Sequence, residues 1–485
     1  MQTIQKYKPI HKANQLILGT GTVVIVSGWT PITTIQKRLP ESSYAAIGSL
    51  YSQGGIDILT RNLLANPQIT GLLLIKATHQ DKVSGSIDEL EAFLKTGLGA
   101  KPDIKQTDLA PLLKVSYCIT ESINADDLKA KIDFLKTKQP LATEPKFYDL
   151  TIQEPTVYPG HLSGHRIEGK TIAETWVRLI HRIKTTGTIR PTGYDGHWQE
   201  LINLTAVVTD EPEEFYFPEP NYLPCNREFV NDYIPQMLED SPYSEGVKYT
   251  YAQRLRSWFG HDQIQDVIAK LINEPDAASA VMSLWDSGNG NHQGKHPNWT
   301  DNDSDHQHGG SPCLNHIWVR IVDNRLILVA TLRSNDMFNA WVANAFQLRA
   351  LQMHIRDEIA VKSGVRYELG ELVTNSLSAH IYDNSFEYAD KLIDEQYLKL
   401  CRPTYDDPSG NYVVCLQDGC VRVDRTDAKG VVIATYEGRE PLALVRKLIS
   451  DAPAIQPAHS AYLALEIQKA CHFLSVGMEY EQDRR

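Results

Sequence analysis

The sequence predicts an α/β (α+β) chain with three parts: an N-terminal α/β domain over residues 1–150, a central mixed-sheet domain over 160–400, and a small α+β unit over 401–485. Three observations predict it. Short β-rich runs alternate with amphipathic stretches early in the chain, strongly patterned sequence runs from Tyr249 to about Ile393, and a strand meander precedes helical spacing in the tail. With 485 residues, 42% hydrophobic and 22% charged, the composition is ordinary for a globular protein and excludes disordered, collagenous and coiled-coil classes. A net charge of −12 argues against nucleic acid or an anionic membrane surface as a partner. No run approaches the ~18 apolar residues of a membrane span, and the first residues lack a signal-peptide pattern. Seven scattered cysteines fit reduced thiols in a cytoplasmic protein, where a cysteine with unusual neighbours is a candidate nucleophile.

In chain order, Leu16–Leu18 and Thr22–Val26 read as strands, the second ended by Gly28. Gly54-Gly55 opens an amphipathic helix, Ile56 to Leu64, closed by Asn66-Pro67. Gly71–Ile75 reads as a buried strand, with a polar loop from Lys76 to Gly85. Gly19-Thr20-Gly21 sits inside an apolar run without a following helix, a poor context for a phosphate loop. The run IGSLYSQGGIDILTRNLLANPQITGLLLI and its following loop faintly resemble the corrinoid-binding subunit of tetrahydromethanopterin S-methyltransferase. That family's cobalt-ligating histidine falls at Lys82 here, with His79 out of register, so corrinoid binding is not carried over.

Lys138 to Pro159 reads as a linker, Ile172 to Ile183 as a helix capped by Gly187, and Asp210 to Pro224 as an acidic, proline-rich loop. In the tail, Tyr412–Cys415, Val421–Val423 and Val431–Ala434 form a meander turning at Asp418-Gly419. Helical patterns follow from Leu442 to Ile449 and Ala458 to Leu474. Cys415 and Cys420 lack metal-ligating company and read as packing residues.

The chemistry concentrates after Ser311. Cys313 follows Pro312; Arg333-Ser334-Asn335-Asp336 closes the hairpin Trp318–Leu332; Asn344 opens the next helix; His380-x-Tyr382 ends a later strand. This is more polarity around one thiol than packing requires. Together with Tyr251-x-Gln253-x-Leu255-Arg256, Asp262-Gln263-Ile264 and a Pro275-to-Trp285 strand, the ordered set resembles the thymidylate synthase and pyrimidine-nucleotide hydroxymethylase family, in its archaeal-type branch. The resemblance covers about half the chain, His165 to Ile393.

The resemblance implies a thymidylate-synthase-like mixed sheet, a homodimer, and C5 methylation of dUMP by 5,10-methylenetetrahydrofolate or a related reduced pterin. Cys313 is then the nucleophile that adds to C6, with Arg333 lowering the thiol pKa and, with Ser334, binding phosphate. Asn344 satisfies both uracil N3–H and O4. His380 and Tyr382 hold the sugar hydroxyl, Asp336 orients base and pterin, and Tyr251 serves the proton-transfer water network. Trp285 is a core residue rather than a contact. The general acid/base carboxylate is placed at Glu228, with Glu239 and Glu200 as rivals.

Departures from the family pattern are Ala278-Ser279 in place of a phosphate-binding arginine pair, Leu314 after the cysteine, Ala340 near the base, and about ninety residues after Ile393. Arg190, Arg254 or Arg256 can substitute for the missing pair. Hydroxymethylation of a pyrimidine nucleotide and a non-catalytic nucleotide-binding role remain alternatives. The insert Gly288–Gly310, with His292, His296, His306 and His308 beside Asp301, Asp303 and Asp305, reads as a mobile loop over the site rather than a preformed metal cage; no metal is expected.

Overall fold

The computed structural model describes residues 6–484 except 52–53, 102, 151–156, 194–195, 242–248, 289–298, 301–302, 308–310, 401–406 and 454. It divides into two compact units, Met1–Tyr397 and Leu398–Arg485. It is a mixed α/β structure with three sheets.

The first sheet joins β1 (Ile17–Leu18), β2 (Val23–Ser27), β3 (Ala46–Ser49), β4 (Gly71–Ile75) and β5 (Tyr117–Thr120) in the order β1-β3-β2-β4-β5. All pairs are parallel except β1–β3. The strands read as unbroken apolar runs because both faces are covered. Val24, Val26, Leu72 and Leu74 pack with Leu63, Leu90 and Leu109 on one side; Val23, Ile25, Leu73 and Ile75 pack with Leu128, Ile132 and Leu135 on the other.

The glycines of Gly19-Thr20-Gly21 serve close backbone approach. A Cβ on Gly19 would lie 2.3 Å from the Tyr44 carbonyl oxygen, and the Gly19 and Gly21 N–H groups donate to Ala45 and Tyr44. Those donors are spent within the fold. The stretch read as a loop after Lys76 instead contains a helix, His79–Ser84, because Thr78 and Asp81 form a reciprocal capping box.

The second sheet holds eight strands: β6 (Ser163–Gly169), β7 (Thr188–Pro191), β8 (His197–Val208), β9 (Val281–Ser283), β10 (Leu314–Val322), β11 (Arg325–Leu332), β12 (Asn335–Asp336) and β13 (Glu368–Tyr382). Their main order is β6-β8-β13-β11-β10-β9, with β7 beside β8 and β12 beside β13. The expected strand up to Trp285 is only three residues long. The hairpin β10–β11 turns at Asp323-Asn324, both with positive φ. One sheet face, including Leu326, Leu328, Ala330, Leu332 and Leu372, is buried. The helices Ile172–Thr186 and Trp341–Ser363 pack in this domain, tied by Trp176 Nε1 donating to the Met337 carbonyl and Trp341 Nε1 to Thr374. On the opposite face of β13, Leu377 is exposed.

The second unit carries β14 (Asn411–Gln417), β15 (Cys420–Thr426) and β16 (Val432–Gly438), an antiparallel meander turning at Asp418-Gly419. Two helices follow, Pro441–Asp451 and Pro457–Ser475. Tyr412, Val414, Val421, Val423 and Tyr436 pack with Leu444, Leu448, Leu463 and Ile467. Cys415 and Cys420 are free thiols. Among the described residues no cluster of His, Cys, Asp or Glu could hold a metal ion, and no helix is long and apolar enough to cross a membrane.

Candidate active site

The hairpin brings Cys313 and Arg333 together: the Arg333 N–H donates to the Cys313 carbonyl at 2.8 Å. The Arg333 guanidinium folds back over the same loop, with Nε 3.0 Å from the Pro312 carbonyl oxygen and a terminal nitrogen 2.9 Å from that of Ser311. Its charge thus sits beside the thiol while its partners remain neutral acceptors. Burial pushes the Cys313 thiol upward; Arg333 and a hydrogen bond from Tyr249 pull it down but do not overcome burial. The resting thiol is therefore protonated at neutral pH.

Three phenols surround this sulfur. Tyr249 hydrogen-bonds both Cys313 and Tyr251. Tyr233 senses the Cys313 charge and is pushed up to about 12 by burial. Its hydroxyl donates to Asn344 Oδ1 at 3.4 Å. Asn344 is buried in the first turn of the helix Trp341–Ser363. Tyr233, Tyr249 and Tyr251 line a cavity of about 140 Å³ together with Gln236, Thr250 and Gln347.

A second group forms where β12 and β13 pair. Asp336 lies opposite His380, and its carboxylate is committed to the turn that follows, accepting from the N–H groups of Phe338 and Asn339 and from the Asn339 amide at 3.0–3.1 Å. His380 is buried, which lowers its pKa and keeps it neutral despite the nearby Asp336 and Glu200. It lies 4.3 Å, ring to ring, from Trp198 and 5.0 Å from Tyr382. Ser378 bridges: its hydroxyl donates to Glu200 and sits 3.3 Å from His380 Nδ1. Glu200 in turn ion-pairs with Arg190 at 3.1 Å. Ser334 is half-buried beside Arg333.

Other predicted residues lie elsewhere or have other partners. Glu228 is exposed on the opening turn of the helix Arg227–Tyr233, and no described hydrogen bond ties it to the Cys313 group. Arg254 is locked into a buried bidentate pair with Asp305. Arg256 bonds Asp262 and the Leu238 carbonyl. Trp285, expected in the core, is half-buried and lies 5.7 Å under the Arg333 guanidinium. In the histidine-rich insert, His292, His296, His308 and Asp301 lie outside the described residues. His306 meets the Trp285 ring, and Asp305 serves Arg254 rather than a metal.

A thymidylate synthase family model matches residues 229–411. A protein of Methanothermobacter thermautotrophicus named "Putative thymidylate synthase" is 30% identical over 241 residues, 47% of this chain and 98% of the relative. The chain belongs to the thymidylate synthase family. A protein of the same name from Methanothermobacter marburgensis is 28% identical over 249 residues, again 47% of this chain and 98% of the relative; one from Methanococcoides burtonii is 28% identical over 231 residues, 47% of this chain and 95% of the relative. Residues 406–483 match a second family, PterinBD-DUF4346, so the tail of this thymidylate synthase family member carries a pterin-binding description of its own.

Sequence reasoning passed over Tyr233, Tyr249, Gln236 and Gln347. The signal for Gln347 was its i,i+3 spacing from Asn344, which puts both on one helix face. Tyr233 had no such signal, since only packing brings its helix to the cavity. That helix is held partly by the N-terminal domain of the same unit: Phe229 stacks on Tyr233 at 5.5 Å and meets Trp29 at 6.3 Å, and the His79 ring nitrogen meets the Asp232 carboxylate.

Proposed function

We propose that this chain is a thymidylate synthase-type enzyme that methylates dUMP at C5 to dTMP, with 5,10-methylenetetrahydrofolate or a related reduced pterin as co-substrate. The observation that supports it most is the Cys313 cluster: a thiol bonded to a phenol, beside a guanidinium, whose tyrosine neighbours line a polar cavity and reach the buried Asn344.

Uracil C5 is a poor nucleophile until a soft nucleophile adds to C6. Cys313, deprotonated as the nucleotide binds, bonds C6 and pushes electron density through C5 to O4. C5 then attacks the one-carbon unit and loses its proton, the bond from that carbon to the pterin nitrogen breaks, and the sulfur leaves C6 as hydride completes the methyl group. The reduced pterin supplies both the carbon and the hydride that finishes it. The hydroxyls of Tyr249 and Tyr251 carry protons beside the sulfur. Arg333 and Ser334 hold the phosphate, Asn344 reads the base, and His380 with Tyr382 binds the sugar. Asp336 braces the turn between these groups, and Arg190 acts through Glu200 to hold the Ser378–His380 end. A homodimer through the sheet face bearing the exposed Leu377 and a cytoplasmic location belong to the same reading.

Incubation with 5-fluoro-dUMP and methylenetetrahydrofolate tests it. A covalent adduct is expected on Cys313 and none on Cys313→Ser, with tritium released from [5-³H]dUMP. Nucleotide binding without adduct or tritium release would refute the reading in favour of a binder. A hydroxymethyl rather than methyl product mass would identify the hydroxymethylase.

A further inference from the structure

One edge of the N-terminal sheet is left without a task by the chemistry above. From β2 the chain moves out to β3, then returns past β2 to β4 and β5, so the strand order β3-β2-β4-β5 reverses between β2 and β4. In open parallel sheets ligands bind outside the carboxyl ends of the strands at such a reversal. Here that edge is turned toward the catalytic residues. Trp29, after β2, meets Phe229 at 6.3 Å; His79, after β4, meets the Asp232 carboxylate; a Cβ on Gly54, after β3, would lie 2.5 Å from the Asn384 carbonyl oxygen. The segments they touch are the helix Arg227–Tyr233, whose Tyr233 lines the cavity beside Cys313, and the short helix Asp383–Ser385 that follows His380-x-Tyr382.

What this edge can hold is limited by what already fills it. At the reversal the fully buried Asp81 carboxylate accepts from the N–H of Trp29 and from the N–H and hydroxyl of both Thr30 and Thr78. The donors that would cradle a phosphate are spent on this internal carboxylate, which argues against a nucleotide or dinucleotide there. Beside it stand Trp29 and Tyr51, 38% and 57% exposed, edge to face at 5.4 Å. The row of rings continues inward, since Phe229 meets Trp29 and stacks on Tyr233 at 5.5 Å. We propose that Trp29 and Tyr51 stack on the aromatic tail of the reduced-pterin co-substrate while its one-carbon end lies at the Cys313 cavity. The inference rests on the functional reading above and deepens it, giving the N-terminal domain a share in co-substrate binding. A cavity of about 140 Å³ is well below the ~300 Å³ that encloses a drug-sized ligand, so a pterin with an aryl tail must extend beyond it. Tyr233 is the lining residue that joins the cavity to the exposed rings, and stacking on them needs no phosphate.

The test is steady-state kinetics of the full chain with methylenetetrahydrofolate varied at saturating dUMP, in wild type, Tyr51→Ala and Tyr51→Phe. Tryptophan fluorescence titrations with the same pterin compare wild type with Trp29→Phe. Tyr51 is exposed and its ring meets Trp29, away from the residues assigned to the nucleotide, so its loss should leave kcat and the dUMP KM unchanged. Tyr51→Ala should raise the pterin KM about two- to tenfold, and Tyr51→Phe, which keeps the ring, should behave as wild type. The pterin should quench wild-type emission more than that of Trp29→Phe. An unchanged pterin KM in Tyr51→Ala, or equal quenching in the two proteins, would overturn the inference while turnover by wild type leaves the functional reading standing. A Tyr51→Ala variant that loses kcat and raises both KM values together would show a structural role and overturn it as well. If wild type neither turns over dUMP nor forms the 5-fluoro-dUMP adduct, the functional reading falls and takes the inference with it.

Discussion

Asp305 offers a sharp test of how the site is held. Its carboxylate is fully buried and receives both terminal nitrogens of Arg254 at 3.0 and 2.9 Å, plus the Asp286 N–H at 2.7 Å. Arg254 is itself almost fully buried, with its guanidinium 4.0 Å from the Trp258 ring and 5.4 Å from Trp299. Asp305→Asn preserves shape and an acceptor for Asp286 but strands the Arg254 charge. Removing one partner of a buried pair costs about 3–5 kcal/mol. The unit Met1–Tyr397, unfolding cooperatively at ~2.1 cal/mol/K per residue, has an unfolding entropy near ~0.8 kcal/mol/K. Asp305→Asn should therefore lower its calorimetric Tm by about 4–6 °C. Adding Arg254→Met, which removes the stranded charge and packs between the tryptophans, should recover at least half of that loss. Because Ser311 Oγ donates to the Asp305 carbonyl and Arg333 to the Ser311 carbonyl, the single variant should also expose Cys313 to faster alkylation. An unchanged Tm, or a double variant less stable than the single, would refute the argument.

Further expectations concern the thiol, the histidine end and the domain junction. Burial raises the Cys313 pKa and Arg333 lowers it, so iodoacetamide modification should rise with pH through and beyond the ordinary thiol value of about 8.5, and Arg333→Ala should move that profile to still higher pH; a profile unmoved by the substitution would contradict the assigned electrostatics. Glu200→Gln removes the anionic partner of Ser378 and Arg190 and should weaken dUMP binding several-fold in calorimetry with little change in Tm; an unchanged affinity would separate this network from the nucleotide. Trp29→Ala deletes the ring that meets Phe229, worth about 1 kcal/mol, and should speed amide hydrogen exchange over residues 227–233; exchange unaltered there would show that the N-terminal domain does not brace that helix.

The sequence carried the site unevenly, for physical reasons. Cys313, Arg333, Asp336 and His380 were legible because each stands at a strand or hairpin end, where a polar side chain breaks a β-pattern and invites a question. The meander at 411–438 and its two helices were likewise visible, since alternation and a turn dipeptide are local signals. Tyr249, Tyr233 and Gln347 were not, because an aromatic or amide on a helix or loop looks like ordinary packing until another element arrives opposite it. Glu228 is the converse: a carboxylate placed by register alone, which the helix start leaves in solvent. The helix at His79–Ser84 was missed because Asp81, the capping-box partner of its N-cap Thr78, is also the buried hub that accepts from Trp29, Thr30 and Thr78, a tertiary role that polar sequence does not announce.

The arginines reduce the ways in which a nucleotide phosphate could be held. Arg254 is neutralised by a buried carboxylate, Arg256 by Asp262, and Arg190 by Glu200, so each substitute for the missing family pair would first have to abandon a partner. Abandonment is dear for Arg254, whose partner is wholly buried, and cheaper for Arg190, which is exposed. Arg333 differs in kind: its described hydrogen bonds go to carbonyl oxygens, which orient the guanidinium without cancelling its charge. Under the proposed reaction that charge has two duties, stabilising a thiolate it only partly offsets today and meeting a phosphate. The duties compete, because a phosphate dianion on the guanidinium offsets the charge that favours a thiolate, and excluding water adds to the burial that already raises the thiol. Under the proposed reaction the protonated resting thiol must therefore hand its proton to a neighbour as C6 is attacked, and the hydroxyls of Tyr249 and Tyr251, linked to the sulfur through Tyr249, are the groups placed to pass it on.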